Sequence, residues 1–218
     1  MSRKPAPAAE PKPKQIRKSP EVRSAEILAA AGRAFIRDGY AAFTLRGVAA
    51  DVGIRLSTLQ HHFPSREILL AATLADVLGG WGVRLRAVAL DRTIPVPERM
   101  KRVLQVNLDL TLEHDTGPVL WELFALSQRE EFARRFAQAS YLDFRRVFTR
   151  MMAEVRPDLS ERQLMAHATL IVAQTEGLTV FMRPDDPAGL PVAAVREALD
   201  LFVDGFMHVL MAQAPAPA

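Results

Sequence analysis

The chain has 218 residues, of which 49% are hydrophobic and 24% charged, values typical of a water-soluble globular protein. It contains no cysteine, which excludes disulfide frameworks and cysteine-based zinc or redox chemistry. The net charge of +3 is unevenly distributed, because residues 1–20 carry six basic side chains against one acidic one. The surplus of positive charge therefore lies at the N-terminus, where a polyanion would be met.

Residues 1–20 also contain five prolines and almost no large apolar side chain. Such a segment cannot bury enough surface to offset the entropy of ordering, so we expect a disordered arm. The arm either follows the phosphates or minor groove of DNA or serves as a solvated tail. It lacks the apolar core of a signal peptide, and no uninterrupted apolar run approaches the ~20 residues that span a bilayer. We expect a cytoplasmic protein that does not engage a membrane.

After this arm, apolar residues recur at helical spacing, which predicts an all-α chain. The first helix is expected to stop at Gly39, which tolerates the left-handed conformation that ends a helix. Thr44 is the predicted N-cap of a short second helix that ends at Gly53. A third helix is predicted over residues 55–61, and Ser65 caps a longer fourth helix.

The rest of the chain is predicted to form five or six longer helices separated by breaker residues. Ser160 and Gln163 form a capping box at the start of one of them. No alternation typical of strands lasts long enough to build a sheet. The predicted segments are a disordered arm, a three-helix helix-turn-helix domain, a larger helical ligand-binding and dimerisation domain, and a frayed tail, over residues 1–20, 21–67, 68–212 and 213–218.

The second and third helices fit a helix-turn-helix unit, in which two helices cross steeply through a short turn. Ala49 supplies a small side chain at the closest approach, and Gly53 tolerates positive φ in the turn. Five apolar residues would pack this unit against the first helix: Leu45, Val48, Ile54, Leu59 and Phe63. The side chains left facing outward, toward a major groove, are Arg55, Leu56, Ser57, Gln60 and His61.

Residues 23–70 read RSAEILAAAGRAFIRDGYAAFTLRGVAADVGIRLSTLQHHFPSREILL. They contain a helix ending in DGY, a threonine opening the next helix, a VAADVGI core and the segment TLQHHFPSREILL. This pattern resembles the DNA-binding domain of the TetR family of bacterial transcriptional regulators, whose signature is close to TLYHHFPSKEALL. The remaining two-thirds of the chain resembles the family only in length and helical content.

The resemblance implies roles for individual positions. Arg55, Leu56 and Ser57 occupy the start of the recognition helix, where family members touch base edges. Further contacts to phosphates or bases are implied for Thr58, Gln60 and His61, with Thr44 and Arg46 near the DNA backbone. The chain departs from the family at Arg55, where Ser or Thr is usual, and at Gln60, where Tyr is common. Base specificity therefore does not transfer.

Metal and enzymatic sites are not predicted. His61 and His62 are adjacent on a helix and point about 100° apart, so they do not easily chelate one ion. His167 with Glu176 suggests an acid–base pair, but no nucleophile motif or glycine-rich phosphate loop accompanies it. We therefore expect no enzymatic activity, no cofactor and no metal.

The second predicted domain is rich in aromatic residues and methionine, which usually form a core. Together they can also enclose a cavity for an apolar or amphipathic effector, with a few polar side chains fixing its orientation. The candidate lining is Trp81, Trp121, Phe124, Phe148 and Met152, with His167 and Gln174 as polar contacts.

Two wide apolar stripes mark the last predicted helices, over residues 161–182 and 192–211. Their width exceeds what one intramolecular face requires and suits a homodimer in which two helices from each subunit form a four-helix bundle. The first stripe is Leu164, Ala168, Ile171, Val172, Thr175, Leu178 and Thr179. The second is Val195, Leu199, Phe202, Val203, Phe206, Val209 and Leu210.

Together these features predict a homodimeric repressor that binds a palindromic double-stranded DNA operator and is released by a small molecule. The helix after Ser65 would link the two domains. One alternative is an architectural DNA-binding protein whose second domain only dimerises. A remote alternative is a helical ligand-binding protein or enzyme in which the first three helices are merely structural.

Overall fold

A computed structural model of the chain describes residues 19–112, 116–182 and 189–212. The predicted tail, all but two residues of the predicted arm and most of the predicted breaker at 184–191 lie outside these ranges. Within them every regular element is an α-helix, which confirms the all-α prediction. The helices are α1 Pro20–Ala42, α2 Leu45–Val52, α3 Leu56–His62, α4 Arg66–Ala89, α5 Val96–Leu112, α6 Thr116–Ser127, α7 Glu131–Val155, α8 Glu161–Phe181 and α9 Val192–Ala212.

Helix α1 is interrupted at Gly39, the residue at which the sequence predicts that the first helix stops. Gly39 adopts φ 67° and ψ −180°, a conformation that side-chain-bearing residues rarely reach, and the chain then makes another turn. Because its ψ is extended, Gly39 is not the left-handed cap that the sequence predicts, and the chain continues in a new direction to Ala42. Phe43, which is buried, then packs its ring edge-to-face on Phe35 at 6.0 Å between centroids.

The predicted helix caps around α2 and α3 are confirmed. The Thr44 hydroxyl accepts a hydrogen bond from the Gly47 N–H at 3.1 Å, and Gly53 is left-handed with φ 73° and ψ 34°. The N–H of Ile54 donates to the Ala49 carbonyl at 2.9 Å and closes the turn. Helix α3 begins one residue later than predicted, because Arg55 is its extended N-cap and makes no side-chain capping bond.

Helix α4 contributes its first residues to one buried apolar cluster and its last residues to another. The Ser65 hydroxyl caps it by accepting a hydrogen bond from the Ile68 N–H at 3.2 Å. It packs on α1, α5 and α7. By length and composition alone α4 is apolar enough to cross a membrane, and a third of its most apolar window is buried inside the structure. Asp76 and Arg84 interrupt the apolar residues of α4. The prediction that no uninterrupted apolar run approaches the length of a membrane span therefore holds for this helix.

The buried apolar residues form two clusters. One contains the core of α1 to α3 and the start of α4, and it is completed by residues of α6 and α7 such as Leu123 and Ala133. The other joins the end of α4 to α5, α7, α8 and α9. Since α4 crosses the predicted boundary at residue 67 and α6 supports the first cluster, the division into two domains stays a prediction.

The apolar stripes of α8 and α9 mostly fill the chain's own core, so their width is no argument for a dimer. Nine of the stripe residues are buried inside the chain without any partner, namely Leu164, Ala168, Ile171, Val172, Thr175, Val195, Leu199, Val203 and Leu210. These residues are buried because α8 packs on α7 and α5, and α9 packs on α5. Any interface between subunits must therefore use a different face of these helices.

Polar contacts hold α9 against α5 along one edge. The Gln105 amide donates to Asp200 at 2.8 Å, and the Lys101 ammonium lies 2.7 Å from Asp204.

At the start of α8, the Ser160 hydroxyl accepts from the Gln163 N–H at 3.4 Å and the Gln163 side chain accepts from the Ser160 N–H at 3.0 Å. The predicted capping box is therefore confirmed.

Candidate nucleic-acid interface and internal cavity

One face of α3 is exposed along its whole length. Arg55, Ser57, Thr58, Gln60 and His61 are all exposed, while Leu56 is half-buried. On the opposite face Leu59 is completely buried and Phe63 nearly so, and both belong to the cluster beneath the helix. A helix of seven residues spans about 10 Å, which suits insertion into a major groove. The outward-facing set predicted from the sequence thus shares one accessible surface, which we call the reading face.

The start of α2 lies at a second exposed position. Thr44 and Arg46 are both exposed there. Because the Thr44 hydroxyl oxygen accepts the capping bond, its own proton remains able to donate to a phosphate. Neither Arg46 nor Arg55 forms an ion pair with any residue that the structure describes, so both guanidinium groups can meet phosphate or base acceptors.

Helix α3 is tied to α1 through a histidine. The Nδ1 atom of His62 lies 3.0 Å from the Ser24 hydroxyl, and His62 is half-buried. Its neighbour His61 is exposed on the reading face. The two rings are nearly perpendicular, with centroids 5.8 Å apart. One histidine therefore positions the helix while the other is available to DNA, as their angular separation predicts.

The segment after the bend in α1 is held by helices α4 and α6. The Tyr40 N–H donates to Glu122 Oε1 at 3.0 Å, and the Tyr40 carbonyl accepts a hydrogen bond from Arg66. The Arg66 guanidinium also lies over the Tyr40 ring, 3.9 Å from its centroid. We call these residues, with Phe132 at 6.4 Å between ring centroids, the Tyr40 joint. It connects α6 directly to the backbone that leads into α2.

A cavity of about 280 Å³ lies among helices α4 to α8. This volume is at the lower end of the range typical of small-molecule sites. Its apolar wall includes Leu78, Trp81, Leu123, Phe136 and Phe144. Its polar lining includes Arg86, Asn107, Tyr141, Asp143 and Glu176. A small amphipathic molecule fits both the size and the mixed character of this cavity.

The polar end of the cavity contains a tyrosine and a glutamate in contact. The Tyr141 hydroxyl donates to Glu176 Oε2 at 3.1 Å. Burial raises the pKa of Glu176 to about 6, although the Tyr141 hydrogen bond opposes the change. Burial, followed by the neighbouring Glu176 charge, raises the pKa of Tyr141 well above its usual range. Tyr141 is therefore a neutral donor, whereas Glu176 changes its charge near neutral pH.

The predicted ligand-contacting residues are largely placed elsewhere. Of the seven, Trp81 lines the cavity. Phe148 and Met152 are fully buried in the core, and the His167 ring packs on Phe206 at 5.7 Å. Gln174 is exposed to solvent. These four lie outside the lining of this cavity, so their contact with a ligand stays a prediction; helical spacing does not distinguish a core position from a cavity wall.

Trp121 and Phe124 lie just behind the cavity. The Phe124 ring stacks on Tyr141 at 5.7 Å, and Trp121, which is half-exposed, packs on Phe124 at 6.2 Å. Tyr141, Glu176, Asn107 and Phe144 were missed as lining residues. A signal for Glu176 was present, because it is an acidic residue next to the apolar stripe of α8.

Comparison with known proteins agrees with this geometry. A family profile described as bacterial regulatory proteins of the tetR family matches residues 27–73, which contain α2, α3 and the Tyr40 segment. The HTH-type transcriptional regulator BetI of Paraburkholderia phymatum is 26% identical over 199 residues, covering 90% of this chain and 96% of that protein.

Solved structures share the fold over nearly the whole chain. A proposed transcriptional regulator from Pseudomonas aeruginosa PAO1 superposes with a TM-score of 0.76 at 17% identity, covering 90% of this chain and 94% of that one. A proposed regulator from Saccharomonospora viridis, solved in complex with choline, has a TM-score of 0.65 at 19% identity and covers 86% and 96%. The helix-turn-helix with its exposed reading face, the match of residues 27–73 to the tetR-family profile and the similarity to HTH-type regulators over most of the chain together show a DNA-binding transcriptional regulator whose DNA-binding domain resembles that of the tetR family.

Proposed function

We propose that the protein is a cytoplasmic repressor that binds a palindromic operator as a homodimer and leaves it when a small molecule occupies the cavity. The observation that carries this proposal is the position of α6 between the two sites. Its residues Leu120 and Leu123 line the cavity, and Glu122 between them holds the Tyr40 backbone. A ligand that displaces α6 therefore acts on the segment leading into α2 and α3, which together we call the reading head.

Helix α4 supplies a second connection, as the sequence predicts. Its first residue, Arg66, belongs to the Tyr40 joint, while Trp81 and Leu85 farther along line the cavity. A ligand can shift operator affinity only if it binds one spacing of the reading heads better than the other. Helices α4 and α6 contact both the cavity and the Tyr40 joint, so they would transmit the effect of a bound ligand to the reading heads. The choline complex of the Saccharomonospora viridis neighbour supports a small-molecule site in this fold.

The homodimer is proposed through the outward faces of α8 and α9. Large apolar side chains remain exposed there, among them Leu170 at 63%, Phe181 at 66% and Leu201 at 67%. Gly177 on α8 and Gly205 on α9 lie in helices with open space beside their α-carbons. Exposed apolar groups next to small residues favour close helix packing between subunits. Two subunits would bury this outer surface in a four-helix bundle.

The function is tested by selecting operator sequences from a random duplex library with the purified full chain. A palindromic consensus, followed by release of that duplex by members of a metabolite panel, is the expected result. Binding to every duplex alike would favour an architectural protein instead. Absence of any DNA binding would contradict both readings and favour a helical ligand-binding protein.

Replacing Glu122 by alanine is expected to weaken the coupling between the cavity and the reading head. The Tyr40 N–H loses its acceptor, whereas Glu122→Gln retains an oxygen at that position and serves as the matched control. We expect Glu122→Ala to need about 5- to 10-fold more ligand for half-release from the operator, with ligand affinity of the DNA-free protein changed much less. Titrations with and without operator separate these two quantities. Equal changes in both would place Glu122 in ligand binding instead.

A further inference from the structure

We infer that the cavity binds a small amphipathic cation of the alkylammonium class, with its charged end beside Glu176 and its apolar part against the aromatic wall. This inference rests on the proposed function, because it names the chemical class of the effector for the same cavity. It does not follow from the fold, which TetR-like proteins share at low identity.

The carboxylate is the first ground for this assignment. Glu176 projects from α8 into a cavity whose wall is mostly apolar, and it accepts a hydrogen bond from Tyr141. Because little water screens a charge in such surroundings, a carboxylate attracts a ligand cation there more strongly than at the surface. A bound cation would also offset the cost of keeping Glu176 ionised in this position.

The aromatic wall is the second ground. Trp81 from α4 and Phe136, Tyr141 and Phe144 from α7 line the same cavity as Glu176. The π faces of such rings attract ammonium and methylated ammonium groups, and Trp and Tyr are the most effective of them. Tyr141 is held in place because Phe124 stacks on it and its hydroxyl donates to Glu176. Aromatic rings and a carboxylate around one small volume are complementary to a cation with a short apolar body.

Two other charged side chains line the cavity. Arg86 also borders a separate pocket that contains Arg150 and Glu154, which places it at the edge of the cavity. Asp143 is exposed and lies 3.7 Å from Arg146. The lining thus contains two carboxylates and one guanidinium, a net negative balance. An amphipathic anion attracted by Arg86 is the competing ligand class, and the experiment includes it.

The wild-type protein provides a first test through pH. Since Glu176 has a pKa of about 6, its carboxylate is mostly ionised at pH 8 and mostly protonated at pH 5. Tyr141 stays neutral across this range because its pKa is raised, and the other charged side chains of the lining are Arg86 and Asp143. A permanent cation should therefore bind about tenfold more weakly at pH 5 than at pH 8. A neutral ligand should show no such change.

The decisive experiment is isothermal titration calorimetry of the full chain with three probes: choline chloride, its uncharged isostere 3,3-dimethylbutan-1-ol, and decanoate. We expect choline to bind at least ten times more tightly than the isostere. Glu176→Gln should lower choline affinity at least tenfold and leave the isostere unchanged. Gln138→Ala, an exposed position on α7 outside the cavity lining, is the matched control and should alter neither.

Three outcomes would overturn the cation assignment: no choline binding, isostere binding as tight as choline binding, or tighter decanoate binding that Arg86→Gln abolishes. Operator binding measured on the same preparation separates this inference from the proposed function. Release of operator by decanoate or the neutral alcohol alone would sustain the repressor and refute the cation. Tight choline binding without any operator release would support the cation site and contradict the repressor.

Discussion

Replacing Gln60 and His61 together by alanine is expected to lower operator affinity by about 100-fold while leaving the fold and the oligomeric state intact. Both side chains are exposed on the reading face of α3, and the core contacts of that helix come from Leu59 on its other side. Each well-placed contact to a base edge contributes about 1–3 kcal/mol, so the loss of two corresponds to a change of this size. The exposed alanines remove nothing from the core.

Fluorescence anisotropy with a labelled operator at one fixed salt concentration measures this effect, since DNA affinity depends steeply on salt. Gln138→Ala, an exposed glutamine on α7, is the control and should bind as the wild type does. Sedimentation should show the same oligomeric state for all variants. Unchanged operator affinity in the double variant would show that another surface reads DNA, and loss of the dimer would assign α3 to the subunit interface.

Replacing Gly205 by arginine is expected to convert the proposed homodimer into a monomer and to lower operator affinity by at least about 100-fold. Within one chain, no atom lies within 4 Å of a β-carbon added at Gly205, so the monomer accommodates a side chain there. In the proposed four-helix interface the same arginine would meet the partner subunit and place a charge among apolar groups. A monomer binds only one half-site and loses the gain from linking two binding events.

Gly80 provides a matched control for this substitution. It is also helical, exposed and without neighbouring atoms around an added β-carbon, but it lies on α4. Gly80→Arg should therefore keep the dimer and its operator affinity. Sedimentation equilibrium and the anisotropy assay together check both variants. A Gly205→Arg protein that remains dimeric would contradict the proposed interface, because the side chain has no room between closely packed helices.

Local features of the fold follow directly from neighbouring residues in the chain. The caps at Thr44, Gly53 and Ser65 and the box at Ser160 were predicted correctly. Each of them depends on hydrogen bonds between residues a few positions apart or on the conformational freedom of one glycine. The exposed reading face was predictable for the same reason, since helical periodicity separates Leu59 from the residues around it.

Long-range features were not predictable from these patterns. Periodicity shows that one side of α8 is apolar, but it does not show whether that side meets the same chain, a second subunit or a ligand. The stripe proved to be internal, and the cavity wall came from residues distant in sequence. Tyr141 and Glu176 lie on different helices, and only the packing of α7 on α8 brings their side chains into contact. The Tyr40 joint likewise depends on the arrival of Glu122 from α6.

The sequence by itself determined the helical class, the helix ends and a DNA-reading head, because each is encoded within a few turns of contiguous chain. Tertiary structure alone decided which polar groups line the cavity, which faces of α8 and α9 remain exposed to solvent, and how α6 contacts the Tyr40 segment that leads into α2. Those relations depend on side chains brought together from helices dozens of residues apart, through contacts that no local pattern records.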